Sequence, residues 1–475
     1  MHDSRLQLQI LSEGSVSEIE KTAYRLLDEV GIVLDHARAV EMLHGLGCRV
    51  DAGRVFIPPD VVGRGLEGVV PHRTLYDFDG SPACTLGDGQ VRFHSGGGVP
   101  FILDLETGER RRPTLDDVAR ATRLLDALPN VDLIIPLVGP HDVPPELLTV
   151  ASTDVLLRHT RKPTWSAPID KAEHVPFVVE MAAACCGGMD AFRARPPMCL
   201  CASPVSPLIF TRDVAGAILA IAELGAPFLS LPAPSLGATG PVTLAGSMAQ
   251  QHAEILASLV IVGAARPGTP VMYCSRISAI DPHTAVSIWG GPEVGLSSGI
   301  AAQLAHRLGL PCDSYGFCTS ALRLDAQFGY ERLANALVAA LGGVDILSGV
   351  GSTENVMTAG LEIAVVDDEL AGLIRRVHAG VEVNDTTLAY EVMRDIIPAG
   401  GAFVGALHTA RQMRKGALWI PAISARGADA PAVMERARAR AREILGHPHT
   451  KALPEDVDRH LDEILKRARR ELMGS

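Results

Sequence analysis

From Pro163 onward, hydrophobic and polar positions repeat one pattern along the chain. An amphipathic helix is followed by Gly or Pro, and then by a short apolar run that ends in small or polar residues. Six runs follow this pattern and one precedes them, which together predict seven parallel strands, because strands covered on both faces are almost continuously apolar. The runs are VDLIIPLV (131–138), PTWSAP (163–168), PMCLCASP (197–204), PFLSLPAP (227–234), PVMYCSRI (270–277), PCDSYGFC (311–318) and DILSGV (345–350).

The segments between these runs predict helices, since each has apolar residues at helical spacing and closes near a Gly or Pro. They cover 214–225, 248–265, 294–309 and 331–343. Strand and helix alternate at intervals of roughly 30 to 45 residues, which is typical of βαβ units with right-handed crossovers. We therefore expect an α/β fold of the (β/α)8 TIM barrel type, because an open sheet of this length would be unusually large.

Two further segments flank the predicted barrel. We expect an N-terminal α+β segment at 1–90 with a helix at 18–31, a barrel domain at 91–429, and a C-terminal helical segment at 430–475. The last helix opens at Pro454 and carries its apolar residues on one face. These residues are Val457, Leu461, Ile464, Leu465 and Ala468. In a barrel the active site lies at the carboxyl ends of the strands, so the residues that finish each run are the first candidates.

Composition narrows the class of protein. Of the 475 residues 47% are hydrophobic, and the net charge is −12, which excludes the basic surface that nucleic acid or an anionic membrane requires. The longest apolar run, at 255–265, is far shorter than the roughly 20 residues of a membrane span. Nine cysteines, an odd number spread along the chain, predict reduced thiols. We expect a cytoplasmic homo-oligomer whose partner is a small molecule or another protein.

Two short motifs resemble known functional signatures but lack their context. The glycines of FHSGGGVP (93–100) match neither phosphate-binding pattern; they suit a tight turn beside a ligand, with His94 as a polar contact or as a structural residue. GLSSG (295–299) has the letters of a hydrolase elbow, yet Ser297 lies inside a helical pattern that starts near Pro292. Neither nucleotide binding nor hydrolysis is therefore indicated.

Aromatic residues are concentrated in the stretch 315–331. The chain has only 11 Phe, 6 Tyr and 3 Trp, yet four of these rings fall within these 17 positions. They are Tyr315, Phe317, Phe328 and Tyr330; in addition, Trp289 follows a predicted strand and Trp165 ends an earlier one. If these rings meet at the carboxyl end of the predicted barrel, they form an aromatic site for a quaternary ammonium. Each ring face would stabilise the bound cation by about 0.5 to 2 kcal/mol. The alternative is plain packing of the loop on the barrel rim.

Seven ordered motifs are similar to those of the trimethylamine methyltransferase family. They are SPVSPL (203–208), GATGPVTLAG (237–246), RPGTPVMY (266–273), GGPEVGL (290–296), LDAQFGYE (324–331), VVDDEL (365–370) and LHTARQMR (407–414). The resemblance implies a (β/α)8 barrel that moves a methyl group from an amine to the Co(I) corrinoid, a cobalamin, of a small partner protein. With standard residues only, the chain resembles the branch without pyrrolysine, which acts on quaternary amines such as glycine betaine. Where relatives commonly read TDAK, this chain reads TSAL (319–322).

The resemblance and the residues together give a set of candidate site residues. A substrate carboxylate would be held by Arg276, His94 or His408. Further positions match the family pattern, and Asp325 and Gln327, beside the rings, are expected to orient the substrate. The remaining matches are Glu293, Glu354, Asp368 and His408; Glu293 has the alternative role of favouring a helix dipole.

No metal bound directly by the chain is expected, because a quaternary ammonium already carries the positive charge that makes its amine a leaving group. Two other functions remain open. One is a quaternary-amine binding protein without catalysis, which the TSAL departure motivates. The other is a zinc-dependent thiol or alcohol methyltransferase, which would use Cys274, Cys312 and Cys318 near strand ends, although no metal-ligand spacing accompanies them.

Overall fold

A computed structural model describes residues 6–425, 427, 429–448 and 453–474. The N-terminal segment is a mixture of short helices and strands. Its helices are α1 (Glu13–Arg25), α2 (Ala37–Gly45) and α3 (Pro59–Glu67). Its strands are β1 (Ile32–Leu34), β2 (Arg49–Asp51), β3 (Arg54–Phe56), β4 (Val69–Pro71), β5 (Thr74–Tyr76) and β6 (Pro82–Thr85). The predicted helix at 18–31 thus begins earlier, because Ser12 caps it, and ends in a π-turn at Leu26–Val30 before Gly31.

The described part of the chain after residue 90 contains the remaining strands. They are β7 (Arg92–Ser95), β8 (Phe101–Leu103), β9 (Arg110–Arg111), β10 (Thr164–Trp165), β11 (Met198–Ala202), β12 (Ile209–Phe210), β13 (Phe228–Ser230), β14 (Ser235–Leu236), β15 (Thr269–Ser275), β16 (Ser278–Ile280), β17 (Ser287–Ile288), β18 (Cys312–Tyr315), β19 (Ile346–Val350), β20 (Ser352–Thr353) and β21 (Thr358–Gly360). Seven of them form the central parallel sheet, in the order β10-β11-β13-β15-β18-β19-β7. All but β7 correspond to predicted runs.

Helices alternate with these strands, as predicted. They are α4 (Leu115–Ala127), α5 (Leu148–His159), α6 (Val175–Cys185), α7 (Met189–Ala194), α8 (Arg212–Leu224), α9 (Leu244–Ala265), α10 (Pro292–Arg307), α11 (Ala326–Leu341), α12 (Leu361–His378), α13 (Asp385–Leu388), α14 (Tyr390–Ile396), α15 (Leu407–Arg414), α16 (Val433–Gly446) and α17 (Glu455–Met473). Ser297 lies within α10, as the sequence indicated. The N-terminal segment joins this body where β1 pairs with β12 and β4 pairs with β15.

The segment 131–138 is not a strand of the sheet, which differs from the prediction. Isolated parallel bridges join Leu133 to His94 and Ile134 to Thr164, so the segment lies between β7 and β10. Pro136 lacks a backbone N–H group and interrupts any regular ladder there. The side chain of Asp132 stands in for a backbone carbonyl at this point, since its Oδ2 accepts a hydrogen bond from the N–H of Phe93 at 2.7 Å.

Helix α11 begins five residues before its predicted start, and this correction moves two aromatic rings. Asp325 is its N-cap and accepts from the N–H of Gln327 at 2.9 Å. Gln327 also donates to Glu331 one turn later, at 2.8 Å. These bonds support the first turns despite Gly329, so Phe328 and Tyr330 belong to the helix and not to a loop before it.

The C-terminal helices pack on the body. In α17 the residues Leu461, Ile464 and Ala468 are fully buried, while Val457 and Leu465 are half-buried, which confirms the predicted apolar face. Among the described residues no helix is long and apolar enough to cross a membrane. All nine cysteines are free thiols, and Cys199, Cys201 and Cys274 lie in a core cluster with Trp165 inside the sheet.

Candidate active site

A buried carboxylate, Asp313, organises the side chains near the carboxyl ends of the parallel strands. It is the second residue of β18 and is fully buried. Its Oδ2 accepts from Arg276 at 2.6 Å and from the thiol of Cys274 at 3.1 Å. Its Oδ1 lies 3.1 Å from Nε2 of His94, whose Nδ1 lies 2.7 Å from the carbonyl oxygen of Ser95. One carboxylate therefore joins side chains from β7, β15 and the residue that follows β15.

The electrostatics of this cluster keep the carboxylate ionised. Burial alone would raise the pKa of Asp313, but the charge of Arg276, together with the adjacent His94 ring and the Cys274 thiol, holds it below its usual range. Burial would lower the pKa of Arg276, and the Asp313 carboxylate more than offsets this effect. Burial raises the pKa of Cys274 well above its usual value. The site therefore contains a charged Arg276–Asp313 pair and a neutral thiol.

Aromatic rings continue this cluster in both directions. The guanidinium carbon of Arg276 lies 4.5 Å from the centroid of the Tyr315 ring, and that ring lies 5.0 Å from the ring of Trp289. On the other side, the rings of His94 and Trp165 lie 4.8 Å apart. Contacts thus run without a break through the six residues of what we call the site chain: Trp165, His94, Asp313, Arg276, Tyr315 and Trp289.

Some buried polar atoms around the site chain have no hydrogen-bond partner among the described residues. They are Nε1 of Trp165 and Oγ of Ser348, which is in β19 and lies opposite Tyr315. A buried donor without an acceptor is costly in a finished structure. These groups are therefore suited to a small polar ligand that supplies the missing partners.

Three of the predicted rings lie elsewhere, so the structure does not bring the aromatic cluster of 315–331 together. Phe317 is fully buried, with its ring centroid 5.6 Å from that of Phe93, and Phe328 is almost fully buried. Both rings face the guanidinium of Arg332, at 5.9 and 4.9 Å. Tyr330 is 62% exposed on α11. Phe317 and Phe328 therefore pack around Arg332, and Tyr330 lies at the surface.

The predicted residue Gln327 and its neighbour Glu331, which was not predicted as a site residue, help to hold the loop that carries Trp289. Oε2 of Glu331 accepts from Thr319 Oγ1 at 2.6 Å and from the N–H of Ser320 at 2.8 Å, while Gln327 bonds Oε1 of the same carboxylate. Ser320, within the TSAL segment, accepts from the N–H of Gly290 at 3.0 Å. Asp325 is exposed and serves as the cap of α11. TSAL thus connects α11 to the Trp289 loop.

Strained backbone supports the same loop from the other side. Glu354, Asn355 and Val356 have φ of 52°, 56° and 65°, a left-handed run that side chains other than glycine rarely adopt. Oδ1 of Asn355 accepts from the N–H of Trp289 at 3.0 Å. Oε2 of Glu354 accepts from Arg110 at 3.1 Å and from Thr358 at 2.6 Å. The strained backbone at 354–356 therefore helps to hold Trp289 in position.

Two further predicted residues, Glu293 and His408, also lie outside the site chain. Glu293 is half-buried in the first turn of α10, where a carboxylate favours the helix dipole. His408 lies on α15, and its Nε2 is 2.9 Å from the carbonyl oxygen of Thr386. The structure does not bring His408 together with Arg276 or His94.

The three cysteines of the zinc alternative do not form a ligand set. Cys274 bonds Asp313, and the thiol of Cys312 lies 3.7 Å from the carbonyl oxygen of Asp313. Burial raises the pKa of all three thiols, that of Cys318 to about 12, which disfavours the thiolate that zinc requires. Within the described ranges no group of three His, Cys, Asp or Glu side chains has the arrangement of a metal site.

Comparison with known proteins adds the decisive observation. The model of the trimethylamine methyltransferase (MTTB) family matches residues 2–473. The chain belongs to this family. The resemblance inferred from the seven sequence motifs is thereby confirmed.

Two curated members of this family illustrate the similarity. The chain is 29% identical over 471 residues to a glycine betaine methyltransferase from Desulfitobacterium hafniense (strain Y51), covering 98% of each chain. It is 29% identical over 405 residues to the trimethylamine methyltransferase MttB of Desulfitobacterium hafniense (strain DSM 10664 / DCB-2), covering 85% of this chain and 81% of that protein. The crystal structure of the Methanosarcina barkeri monomethylamine methyltransferase (MtmB) aligns with a TM-score of 0.49 at 14% identity, covering 99% of this chain and 96% of that one.

Sequence reasoning missed Asp313, although a signal was present. In the predicted strand PCDSYGFC (311–318), Asp313 is the one acidic residue among side chains that are otherwise apolar, small or aromatic. Asp is almost never buried without a partner, so its position inside a strand already implied a cation or donors around it. Arg276 and His94 were identified individually, and Asp313 is the residue that joins them.

Proposed function

We propose that this chain transfers a methyl group from a quaternary amine of the glycine betaine type to the Co(I) corrinoid of a partner protein. Support comes from membership of the trimethylamine methyltransferase family and from the similarity to a glycine betaine methyltransferase along nearly the whole chain. The observation that carries the proposal is the site chain, because it combines aromatic rings with a buried arginine. A substrate with a cationic and a carboxylate end needs both groups.

We further propose that the central sheet closes into a (β/α)8 barrel. The isolated bridges of Leu133 to His94 and of Ile134 to Thr164 supply the connection between β7 and β10. With an eighth strand at this point, the carboxyl ends of all the strands surround a single mouth. The site chain then lies at that mouth, where a partner protein has access.

Each part of the site chain has a separate task in binding. The half-buried rings of Trp289 and Tyr315 receive the ammonium, which has no N–H and is attracted only by ring faces and charge. Arg276 uses two of its nitrogens for Ser275 and Asp313, and a guanidinium has further N–H groups for a carboxylate. The unpartnered Nε1–H of Trp165 adds a donor. Asp313 and His94 position Arg276 and Trp165.

Positioning, rather than acid–base chemistry, is the main catalytic task. A quaternary ammonium already carries the charge that makes its amine a leaving group, so no general acid is required. The partner protein's corrinoid supplies the Co(I) nucleophile. This chain holds one methyl group toward the mouth and excludes water from it. Stabilising the bound cation alone would not accelerate transfer, so the direction of that methyl group matters more than the strength of cation binding.

The other predicted residues keep supporting roles in this proposal. Gln327, with Glu331, and Glu354 fix the loop of Trp289 and thereby position that ring. Asp325 and Glu293 support helices α11 and α10. We propose no substrate contact for Phe317, Phe328, Tyr330 or His408. The nine free thiols fit our proposal that the protein acts in the cytoplasm.

Methyl transfer to free reduced cobalamin tests the proposal. The purified chain is incubated with cob(I)alamin and with glycine betaine, carnitine, proline betaine or trimethylamine, and methylcobalamin is followed by absorbance. We expect transfer from at least one quaternary amine and less from trimethylamine. No transfer from any amine, with or without a cognate corrinoid protein, would overturn the proposal. Thermal stabilisation by an amine without transfer would identify the binding-protein alternative, and stoichiometric zinc whose removal abolishes activity would identify the zinc alternative.

A further inference from the structure

Residues 381–420 form an arm between α12 and α16. It contains α13, α14, α15 and the turn Phe403–Gly405, and none of these elements has a fully buried residue within the described structure. The body holds the arm at its two ends. Arg376 donates to the carbonyl oxygens of Gly380 and Ala417, at 3.0 and 3.5 Å. Just beyond the arm, Glu369 accepts from three successive backbone N–H groups at 422–424.

The arm exposes far more apolar surface than its length explains. Of the 26 large apolar side chains that are exposed among the described residues, twelve lie in it. They are Val381, Val383, Leu388, Tyr390, Met393, Ile397, Phe403, Val404, Leu407, Met413, Leu418 and Ile420. Val404 is 86% exposed. Such a concentration on one segment is typical of a surface that another protein covers.

The charges of the arm divide into two halves of opposite sign. Its first half, 381–397, has four carboxylates and a single cation, Arg394, which pairs with Glu391 and Asp395. Its second half, 398–420, has Arg411, Arg414 and Lys415 and no carboxylate. Within the described ranges these three cations form no ion pair. An arm with an acidic and a basic half is complementary to a second arm that runs in the opposite direction.

The base of the arm lies away from the candidate active site. Helix α12 ends at His378, whose carbonyl oxygen accepts from the N–H of Leu6 at 3.3 Å. Both residues line a surface cavity of about 300 Å³ together with Gly87 and Asp345, which precede β7 and β19. The arm is therefore attached at the amino ends of the strands. A partner that receives the methyl group must reach the opposite, carboxyl ends.

We propose that the arm is a dimerisation element that pairs with the arm of a second copy of this chain. The two arms run antiparallel about a two-fold axis, with their apolar side chains buried between them. The acidic half of each arm then lies against the basic half of the other. This arrangement leaves the carboxyl ends of the strands of both copies accessible to a corrinoid protein.

Sedimentation velocity of the full chain tests the proposal first. We expect a species of twice the chain mass of 50.3 kDa at micromolar concentration. Leu388→Asp and Val404→Asp each place a charge in the apolar contact and should weaken self-association by about 10-fold or more. Val50→Asp, at an exposed apolar position of β2, is the matched control and should change nothing. Because the arm contributes no fully buried residue, the melting temperatures should stay within a few degrees of the parent value.

Charge reversal with mixing tests the pairing itself. Asp385→Lys/Glu391→Lys makes both halves of the arm basic, and Arg411→Glu/Lys415→Glu makes both acidic. Each variant alone should self-associate about 10-fold or more weakly, because like charges then face each other. An equal mixture should restore association to nearly the parent strength, which damaged folding could not do. A monomeric parent protein, a dimer that the arm variants leave intact, or variants that lose only affinity for the corrinoid protein would each overturn the proposal.

Discussion

Two buried arginine–aspartate pairs lie near the ends of the central strands, and only one belongs to the candidate active site. Arg276 pairs with Asp313, and Arg332 pairs with Asp367. All four side chains are buried, and each guanidinium lies over aromatic rings. By residue type and burial alone, the two pairs are indistinguishable.

The partners of the two pairs differ. Arg332 also donates to the carbonyl oxygens of Gly349 and Ser352, and Asp367 also accepts from the N–H of Gly351. This pair therefore fixes the backbone at 349–352 with bonds that the fold itself completes. The carboxylate of Asp313 instead also contacts the side chains of His94 and Cys274. Its partner, Arg276, faces the half-buried ring of Tyr315. A buried ion pair indicates a functional site only when groups around it remain available to a ligand.

The largest effect is expected from breaking the structural pair. Arg332→Met leaves the Asp367 carboxyl, whose pKa burial already raises, in the interior without its cation, which should lower the free energy of unfolding by about 3–5 kcal/mol. Arg332→Met/Asp367→Leu removes both charges and should recover most of that loss. Urea denaturation measures both variants. If the free energy of unfolding of the single variant falls by less than about 1 kcal/mol, this pair does not stabilise the fold as proposed.

Removing the carboxylate of the site pair should have a smaller effect that depends on pH. Asp313→Asn leaves the charge of Arg276 without its partner and should cost about 3 kcal/mol at pH 7. The pKa of Asp313 is below its unfolded value near 4, so its stabilisation is present above that pH and is lost as the pH falls through the lower folded pKa. Denaturation between neutral and strongly acidic pH measures the difference between parent and variant. A difference that grows on acidification would contradict the sign of this shift.

Conservative replacement of each arginine should separate catalysis from stability. Arg276→Lys keeps the charge but loses the planar donor geometry, and kcat/KM for glycine betaine should fall by about 30-fold, or about 2 kcal/mol. A quaternary amine without a carboxylate should be affected much less. Arg332→Lys is the matched control, which should change the melting temperature and leave kcat/KM of the folded protein nearly unaltered. If Arg276→Lys lowers kcat/KM equally for substrates with and without a carboxylate, Arg276 is excluded as the group that binds the substrate carboxylate.

The sequence allowed most of the sheet to be predicted and only part of the site. Six of the seven predicted runs are strands, because buried parallel strands leave a continuous apolar signal. The exception, 131–138, is broken by a proline whose effect on the ladder depends on its neighbours. Arg332 could not be recognised, since an arginine in a helix usually marks a solvated face, and only the packing of α11, which also carries Phe328, against Phe317 buries it. The split of the aromatic cluster follows from the same packing.

Substrate affinity of ring variants tests the central claim most directly, namely that the Arg276–Asp313 side of the molecule binds the cation. Calorimetric titration with glycine betaine compares Tyr315→Leu and Trp289→Leu with Phe317→Leu and Phe328→Leu, each with its melting temperature. We predict that affinity weakens by about 2- to 30-fold in the first two, because a ring face at the cation is lost. The second two should lose thermal stability and keep their affinity when folded. Unchanged affinity in Tyr315→Leu and Trp289→Leu, with weakened binding in Phe317→Leu and Phe328→Leu, would contradict the account and locate the cation beside Arg332.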